Sequence, residues 1–379
     1  MRIGFGCTIL AHGLRHGGVD GIGSYTKELG RNLSSAKNID LVPVSFGVPI
    51  KENFPLSRRN IKLLPRYTPM VAISSVSHFP FPGNKNLRQQ VDLFHAADHL
   101  VPRFSGFPVV ATLMDAIPLS HPEWVRVRLA KLKSTVWRHS AHWADHILTI
   151  SEYSKSEIVR HFGISPDKIT VTPLGVDERY FERIDFASKA EIIERYNLPE
   201  QFYLFVGTLQ PRKNVERLLD AHAALPASLQ KEIPLVIVGR AGWGCEALVK
   251  RLEDAELVGR VLWLKYLCDE EVRALLQTAL ALVFPSLYEG FGLPVVEAFA
   301  SGLPVITSDT TALPEVTLGA ALLVNPLDVG AISDAMRQIA EVSGMAQKLA
   351  DAGMQRARKL SWAACAAKTV SVYRKVLGS

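Results

Sequence analysis

The chain has 379 residues, enough for two ordinary cores, and its 48% hydrophobic and 21% charged content excludes disordered and fibrous classes. No apolar run reaches the ~18–20 residues that span a bilayer, and Met1–Gly6 meets glycine and polar residues too soon for a secretory h-region, so a soluble, cytoplasmic setting is expected. The net charge of +6 is uneven, with 23 Lys+Arg against 16 Asp+Glu in residues 1–185 and 20 against 21 in the remainder. The basic first part suits an anionic partner, such as a phospholipid surface or a polyprenyl pyrophosphate. Nucleic acid would suit the charge too, but no zinc-finger spacing or RNA-binding signature supports it.

Short apolar runs alternate with helical patterns along the whole chain. The expected strands of the first part are Arg2–Leu10, Asp40–Phe46, Leu93–Ala96, Val109–Met114, His146–Ile150 and Ile169–Thr172. Those of the second are Phe202–Val206, Leu235–Val238, Val261–Leu264, Ala281–Phe284, Val305–Thr307 and Ala321–Val324. Buried runs of this length between helices imply parallel sheets covered on both faces, and two such sets imply two doubly wound α/β domains. Ligands of such sheets bind beyond the carboxyl ends of the strands, so the cleft between the domains is the default site. Cys7, Cys245, Cys268 and Cys365 show no CxxC or zinc spacing and read as reduced and buried.

Three segments carry chemistry. The first is Gly17-Gly18-Val19-Asp20-Gly21-Ile22-Gly23, after the first strand and before a helix expected over Ser24–Leu33. Thr26 stands where G-x-G-x-x-G would place its third glycine, so the segment is weak as a dinucleotide site. It reads equally as a loop approaching a phosphate or sugar and as a helix-entry turn. The second is Gly207-Thr-Leu-Gln-Pro-Arg212-Lys213-Asn214, between the strand ending at Val206 and a helix expected over Val215–Ala223. Two cations at a strand's carboxyl end suit a diphosphate, where they would offset charge growing on a leaving nucleotide. A solvated basic turn is the competing reading.

The third segment is Glu289-Gly-Phe-Gly-Leu-Pro-Val-Val-Glu297. A strand ends at Phe284, Pro294 stands where a helix would begin, and Gly302 where it would stop. Free N–H groups of the loop and of the helix N-terminus suit an α-phosphate, while two carboxylates suit sugar and ribose hydroxyls. An ordinary strand–loop–helix with solvated glutamates is the alternative.

In this order and spacing the three segments resemble the retaining glycosyltransferase family 4, whose E-x7-E signature is met by Glu289 and Glu297. Asp145–Ser154, Pro173–Asp177 and Gly207–Asn214 also match segments that recur in that family, and the resemblance runs from Gly17 to about Asp328. It implies the GT-B fold, with two Rossmann-like domains facing across a cleft. Residues 1–185 would be the acceptor side, 186–360 the donor-binding domain, and 361–379 a helix returning to the first domain. It further implies that Glu289 meets donor-sugar hydroxyls with help from the backbone at Phe291, Gly292 and Leu293. Glu297 would bind the ribose, Arg212 and Lys213 the diphosphate, and Gly21–Gly23 would lie over the donor phosphate or the acceptor.

Two departures stand out. Many members carry His-Asp where this chain has Met114-Asp115, so Asp115 or a nearby histidine must serve. His95, His99 and His121 are the candidates, against the commoner structural role of a lone histidine. The family usually has glycine at the position of Lys265, in Trp263-Leu-Lys265-Tyr266, a region that often reads the base. No D-x-D occurs, so no metal is expected on the donor diphosphate, and the two cations would take its place.

Glu123–Ser140 reads as a basic amphipathic helix, with Val125, Leu129, Leu132 and Val136 on one stripe and Arg126, Arg128, Lys131, Lys133 and Arg138 around it. It could rest on anionic lipid or pack with its basic side solvated. Arg58, Arg59 and Lys62 add charge in a loop that could meet a pyrophosphate-bearing acceptor. The expected reaction is hexose transfer with retention, first mannose from GDP-mannose, to a lipid-linked or oligosaccharide acceptor in cell-surface polysaccharide synthesis. A GT-B synthase with a soluble sugar acceptor, an epimerase or dehydrogenase, and an inactive sugar-nucleotide or glycan binder are the alternatives.

Overall fold

A computed structural model describes residues 1–16, 18–50, 54–56, 62–77, 79–124 and 130–378. The strands, in chain order, are β1 Arg2–Gly6, β2 Asp40–Phe46, β3 Lys62–Leu64, β4 Leu93–Ala96, β5 Val109–Thr112, β6 His146–Thr149 and β7 Ile169–Val171. They continue as β8 Tyr203–Val206, β9 Leu235–Val238, β10 Val261–Trp263, β11 Ala281–Phe284, β12 Val305–Ser308 and β13 Leu322–Val324. Two parallel sheets result, ordered β3-β2-β1-β4-β5-β6-β7 and β10-β9-β8-β11-β12-β13. The central strands are buried throughout, which is why they read as unbroken apolar runs instead of alternating ones.

The chain divides into two compact units, Met1–Gly175 with Trp362–Ser379, and Val176–Ser361. The boundary therefore falls ten residues before the expected 185. Residues 176–185 belong to the second unit because their polar groups are satisfied there. Val176 pairs with Ser361 in a parallel bridge, and Gln277 both accepts from Ile184 N–H (3.0 Å) and donates to the Glu182 carbonyl (2.7 Å).

Two strands and one cysteine differ from expectation. β1 stops at Gly6 instead of Leu10 because the Asp98 carboxylate accepts from Thr8 N–H at 2.6 Å and starts a helix, Thr8–His16. β3, three residues after a charged stretch, carries too little pattern to be read. Cys7, Cys245 and Cys365 are buried, but Cys268 is exposed, since it occupies the N-cap of the helix Asp269–Leu276 opposite Glu271.

Across the expected helix Glu123–Ser140, the described residues form a 3-10 turn, Pro122–Trp124, and a helix, Ala130–Ala141. Val125, Arg126, Arg128 and Leu129, the side chains of Lys131, Leu132 and Lys133, Gly17, Arg58, Arg59 and the side chain of Lys62 lie outside the described residues. Arg138 is exposed and Val136 half-buried. Among the described residues, no helix is long and apolar enough to cross a membrane.

In the first unit the helix Trp362–Leu377 packs on the helix Gly21–Ser34, with the Tyr25 and Trp362 rings 6.1 Å apart. A polar chain runs beneath it. Tyr25 hydroxyl meets Thr112 Oγ1 at 2.8 Å, Thr112 Oγ1 meets His95 Nε2 at 2.7 Å, and His95 Nδ1 meets Tyr373 hydroxyl at 2.6 Å.

Candidate active site

The carboxyl ends of β8 and β11 bring together the cationic turn and the E-x7-E segment. After β8, Pro211–Lys213 form one 3-10 turn, closed by Asn214 in the left-handed conformation (φ 60°), and the helix Val215–Ala223 follows. After β11, the loop reaches back to this turn, with Leu287 N–H donating to the Arg212 carbonyl at 2.7 Å. Both cations then converge on a single carboxylate oxygen. Lys213 Nζ lies 2.6 Å and Arg212 Nη1 3.1 Å from Glu289 Oε1, and Arg212 also donates to the Tyr288 carbonyl at 3.1 Å.

Burial decides the electrostatics of this cluster. Lys213 is 7% exposed, and burial, with Arg212 beside it, pushes its ammonium down to about 8 although Glu289 holds it up. Phe284 lends its ring face 4.5 Å from the same ammonium. Glu289 is equally buried. Burial works to raise its carboxyl, but the charges of Lys213 and Arg212 outweigh it and keep the group below the ordinary glutamate value.

Gly292 begins the helix Leu293–Ala300 with φ +102°, a conformation open to glycine, and a Cβ there would stand 2.8 Å from Leu313 Cδ2. Pro294 lies in the first turn, where its missing N–H costs no helix bond, and Val295 N–H donates to the Gly292 carbonyl at 3.0 Å. Phe291 is buried, and Leu293 half-buried. Glu297 sits one turn further along and behaves unlike Glu289. Burial, then the carboxylates of Asp269 and Asp177, raise it to about 7, while a hydrogen bond from Tyr180 opposes them.

Gly21 and Gly23 lie in the first turn of the helix Gly21–Ser34, not in a loop, because Asp20 caps that helix by accepting from Gly23 N–H at 2.8 Å. Nothing stands within 4 Å of a Cβ built on Gly21, whereas one on Gly23 would meet Val19 Cγ1 at 2.7 Å. His95 is withdrawn as a sugar contact. It is fully buried, both ring nitrogens are held by Tyr373 and Thr112, and burial lowers it to about 3. His99 is also buried, at φ 62°, with its ring edge-on to Trp137 and burial lowering it to about 4. Its Nδ1 has no hydrogen-bond partner among the described residues. Asp115 accepts from Ile117 N–H at 3.0 Å, and Met114 is buried in the core. His121 stacks on Trp124 at 4.0 Å and meets Glu123 at 3.0 Å, both on the surface side.

Lys265 stands at φ 48°, a left-handed position that favours glycine, in line with the glycine expected there from the family resemblance. Beside it Trp263 Nε1 donates to the Gly239 carbonyl at 2.8 Å, and Arg240 lies over the Tyr266 ring at 4.0 Å. Sequence reading missed Tyr180 and gave Asn214 no role. An asparagine closing a basic turn was the available signal for Asn214. For Tyr180 there was none, since it reaches Glu297 from a 3-10 turn, Glu178–Phe181, far away in the chain.

A cationic turn facing a glutamate and a helix N-terminus, on one of two parallel-sheet units, defines a glycosyltransferase of GT-B fold. Residues 19–180 match the family described as Glycosyltransferase Family 4, and residues 188–356 match that described as Glycosyl transferases group 1. The "O-antigen chain mannosyltransferase B" of Escherichia coli is 31% identical over 376 residues, covering 93% of this chain and 96% of that protein. The chain belongs to glycosyltransferase family 4. Its fold is shared by a sucrose-phosphate synthase from Thermosynechococcus elongatus (TM-score 0.77, 21% identity, 100% and 99% of the two chains covered). It is shared also by HepE of Anabaena, solved with UDP and glucose (TM-score 0.76, 16% identity, 99% and 100% covered).

Proposed function

We propose that this glycosyltransferase moves mannose from GDP-mannose, with retention and without a bound metal, onto a lipid-linked or oligosaccharide acceptor in cell-surface polysaccharide assembly. The observation that carries the reading is the convergence of Lys213 and Arg212 on Glu289 beside the N-terminus of the helix Leu293–Ala300. The two cations would neutralise the diphosphate as the bond between sugar C1 and phosphate oxygen breaks. The acceptor oxygen forms the new bond on the same face, and its proton passes to the departing phosphate. With Oε1 committed to the cations, the rest of the Glu289 carboxylate is available to accept from sugar hydroxyls. Glu297 would accept from, or when protonated donate to, the ribose hydroxyls. The choice of mannose is supported by the name of the Escherichia coli relative, an O-antigen mannosyltransferase. Peripheral contact of the basic first unit with an anionic membrane would bring the enzyme to a lipid-linked acceptor.

The test is thermal stabilisation by GDP, UDP, ADP and CMP, each with and without magnesium. A shift with GDP alone, equal in both conditions, is expected. A shift with UDP alone would replace GDP-mannose by a uridine donor, and a magnesium requirement would remove the metal-free reading. No shift with any nucleotide would overturn the donor-site assignment and favour a protein that binds glycan without transfer.

A further inference from the structure

Asn214 has surroundings that are unusual for a turn residue. It is 4% exposed, stands at φ 60° and ψ 30°, and follows directly on Lys213. Its side-chain amide donates to the Pro285 carbonyl at 2.9 Å and to the Pro326 carbonyl at 2.7 Å. Its Oδ1 accepts from Arg217 Nη1 at 2.9 Å, which fixes the direction of the amide. One side chain thus joins three loops, those after β8, β11 and β13. The β11 loop is tied from its other side as well, by Ser308 Oγ to the Ser286 carbonyl (2.6 Å) and by Glu289 N–H to Thr311 Oγ1 (3.3 Å).

We propose that Asn214 is a positioning residue of the donor site, a clamp that sets Lys213 and Arg212 against Glu289 by holding the β8 turn to the β11 and β13 loops. The proposal rests on the donor-site reading above. The geometry favours it over a purely local turn role for two reasons. An asparagine needed only for its left-handed backbone could point its amide at water, since that backbone role, which glycine also fills at helix boundaries, asks nothing of the side chain. Here both amide hydrogens are spent on carbonyls of other loops, one of which leads within four residues to Glu289. A shift of about 1 Å between Lys213 and Glu289 is enough to cost a hundredfold in rate when charge must be met in place.

The experiment compares Asn214→Gly and Asn214→Asp with the wild type. Both substitutes tolerate the left-handed backbone, and neither can donate to the two carbonyls. Expected for each is a loss of at least about thirtyfold in kcat/KM with GDP-mannose, borne more by kcat than by KM. A second readout, the 13Cε shift of Lys213 against pH, is expected to move upward from its depressed midpoint as the loosened site takes in water. A folded Asn214→Gly protein with kcat/KM within threefold of wild type and an unmoved Lys213 midpoint would overturn the proposal. A lowered melting point with both readouts unchanged would do so too, by leaving only a structural role. If the Gly variant does not fold, the Asp variant decides. If the wild type turns over no nucleotide sugar, the functional reading fails, and the Lys213 titration alone judges the clamp.

Discussion

Glu289 and Glu297 belong to one motif, yet their surroundings push them to opposite protonation states near neutral pH. Glu289 stays ionised through its two cations, while Glu297, raised to about 7 by burial and two acidic neighbours, holds its proton through mildly acidic pH. A carboxyl whose folded value is raised above its unfolded value adds stability that is full below pH ~4.5 and is lost as pH rises through about 7. Glu297→Gln should therefore raise the melting temperature at pH 8 by on the order of 2–4 °C, and leave it unchanged at pH 4.5. Calorimetry at the two pH values checks this; an equal effect at both would remove the raised carboxyl. For Lys213→Ala the expected loss in kcat/KM is about a hundredfold or more, and the acid limb of the rate should move to higher pH as Glu289 loses a cation. Turnover within twofold of wild type would end the diphosphate role of Lys213. The motif residues were legible because their chemistry lies in local order. Tyr180 was not, because its contact with Glu297 exists only after the chain has folded back.

Among the elements, the helix Leu293–Ala300 depends most on one residue at its start. A side chain at Gly292 must adopt φ +102° and meet Leu313, so Gly292→Ala should cost about 1–3 kcal/mol and turn the helix N-terminus away from the phosphate we propose there. Urea unfolding of the second unit and GDP titration by calorimetry should both register the change; an unaltered GDP affinity would separate this helix from the phosphate. Pro294 and Gly302 marked that helix correctly from sequence, since each acts through its own backbone limits. The end of β1 was misplaced for the opposite reason. Cys7–Leu10 is as apolar as a strand, and Asp98, a distant residue, decides that a helix starts there. Of the two readings open for Gly21 and Gly23, the structure gives the helix-entry turn, since Asp20, close by in sequence, makes them the first turn of a helix.

Across the whole molecule, the closing helix Trp362–Leu377 is anchored in the first unit by the buried chain from Tyr25 to Tyr373. Tyr373→Phe leaves His95 Nδ1 without its partner, at a cost of about 1–3 kcal/mol. Because the units are separate, urea unfolding followed by tryptophan fluorescence should show the first unit's transition moving to lower denaturant and the second's staying in place. Movement of both together would mean that the units unfold as one. Two parallel sheets could be read from the order of apolar runs, but the limits of the units could not. The stretch from Val176 to Asp185 is assigned by hydrogen bonds to residues nearly a hundred positions later.

The bridge between Val176 and Ser361 bears also on the order of synthesis. The backbone enters and leaves the second unit at neighbouring points, so that unit is an insertion in the first. As the ribosome extends the chain, residues 176–361 can reach their final form while the earlier unit still lacks the helix that covers His95. The half made first is finished last. For the same reason the inserted half, with its adjacent ends, is a natural cassette for exchange between relatives, needing only two cuts at positions that already touch.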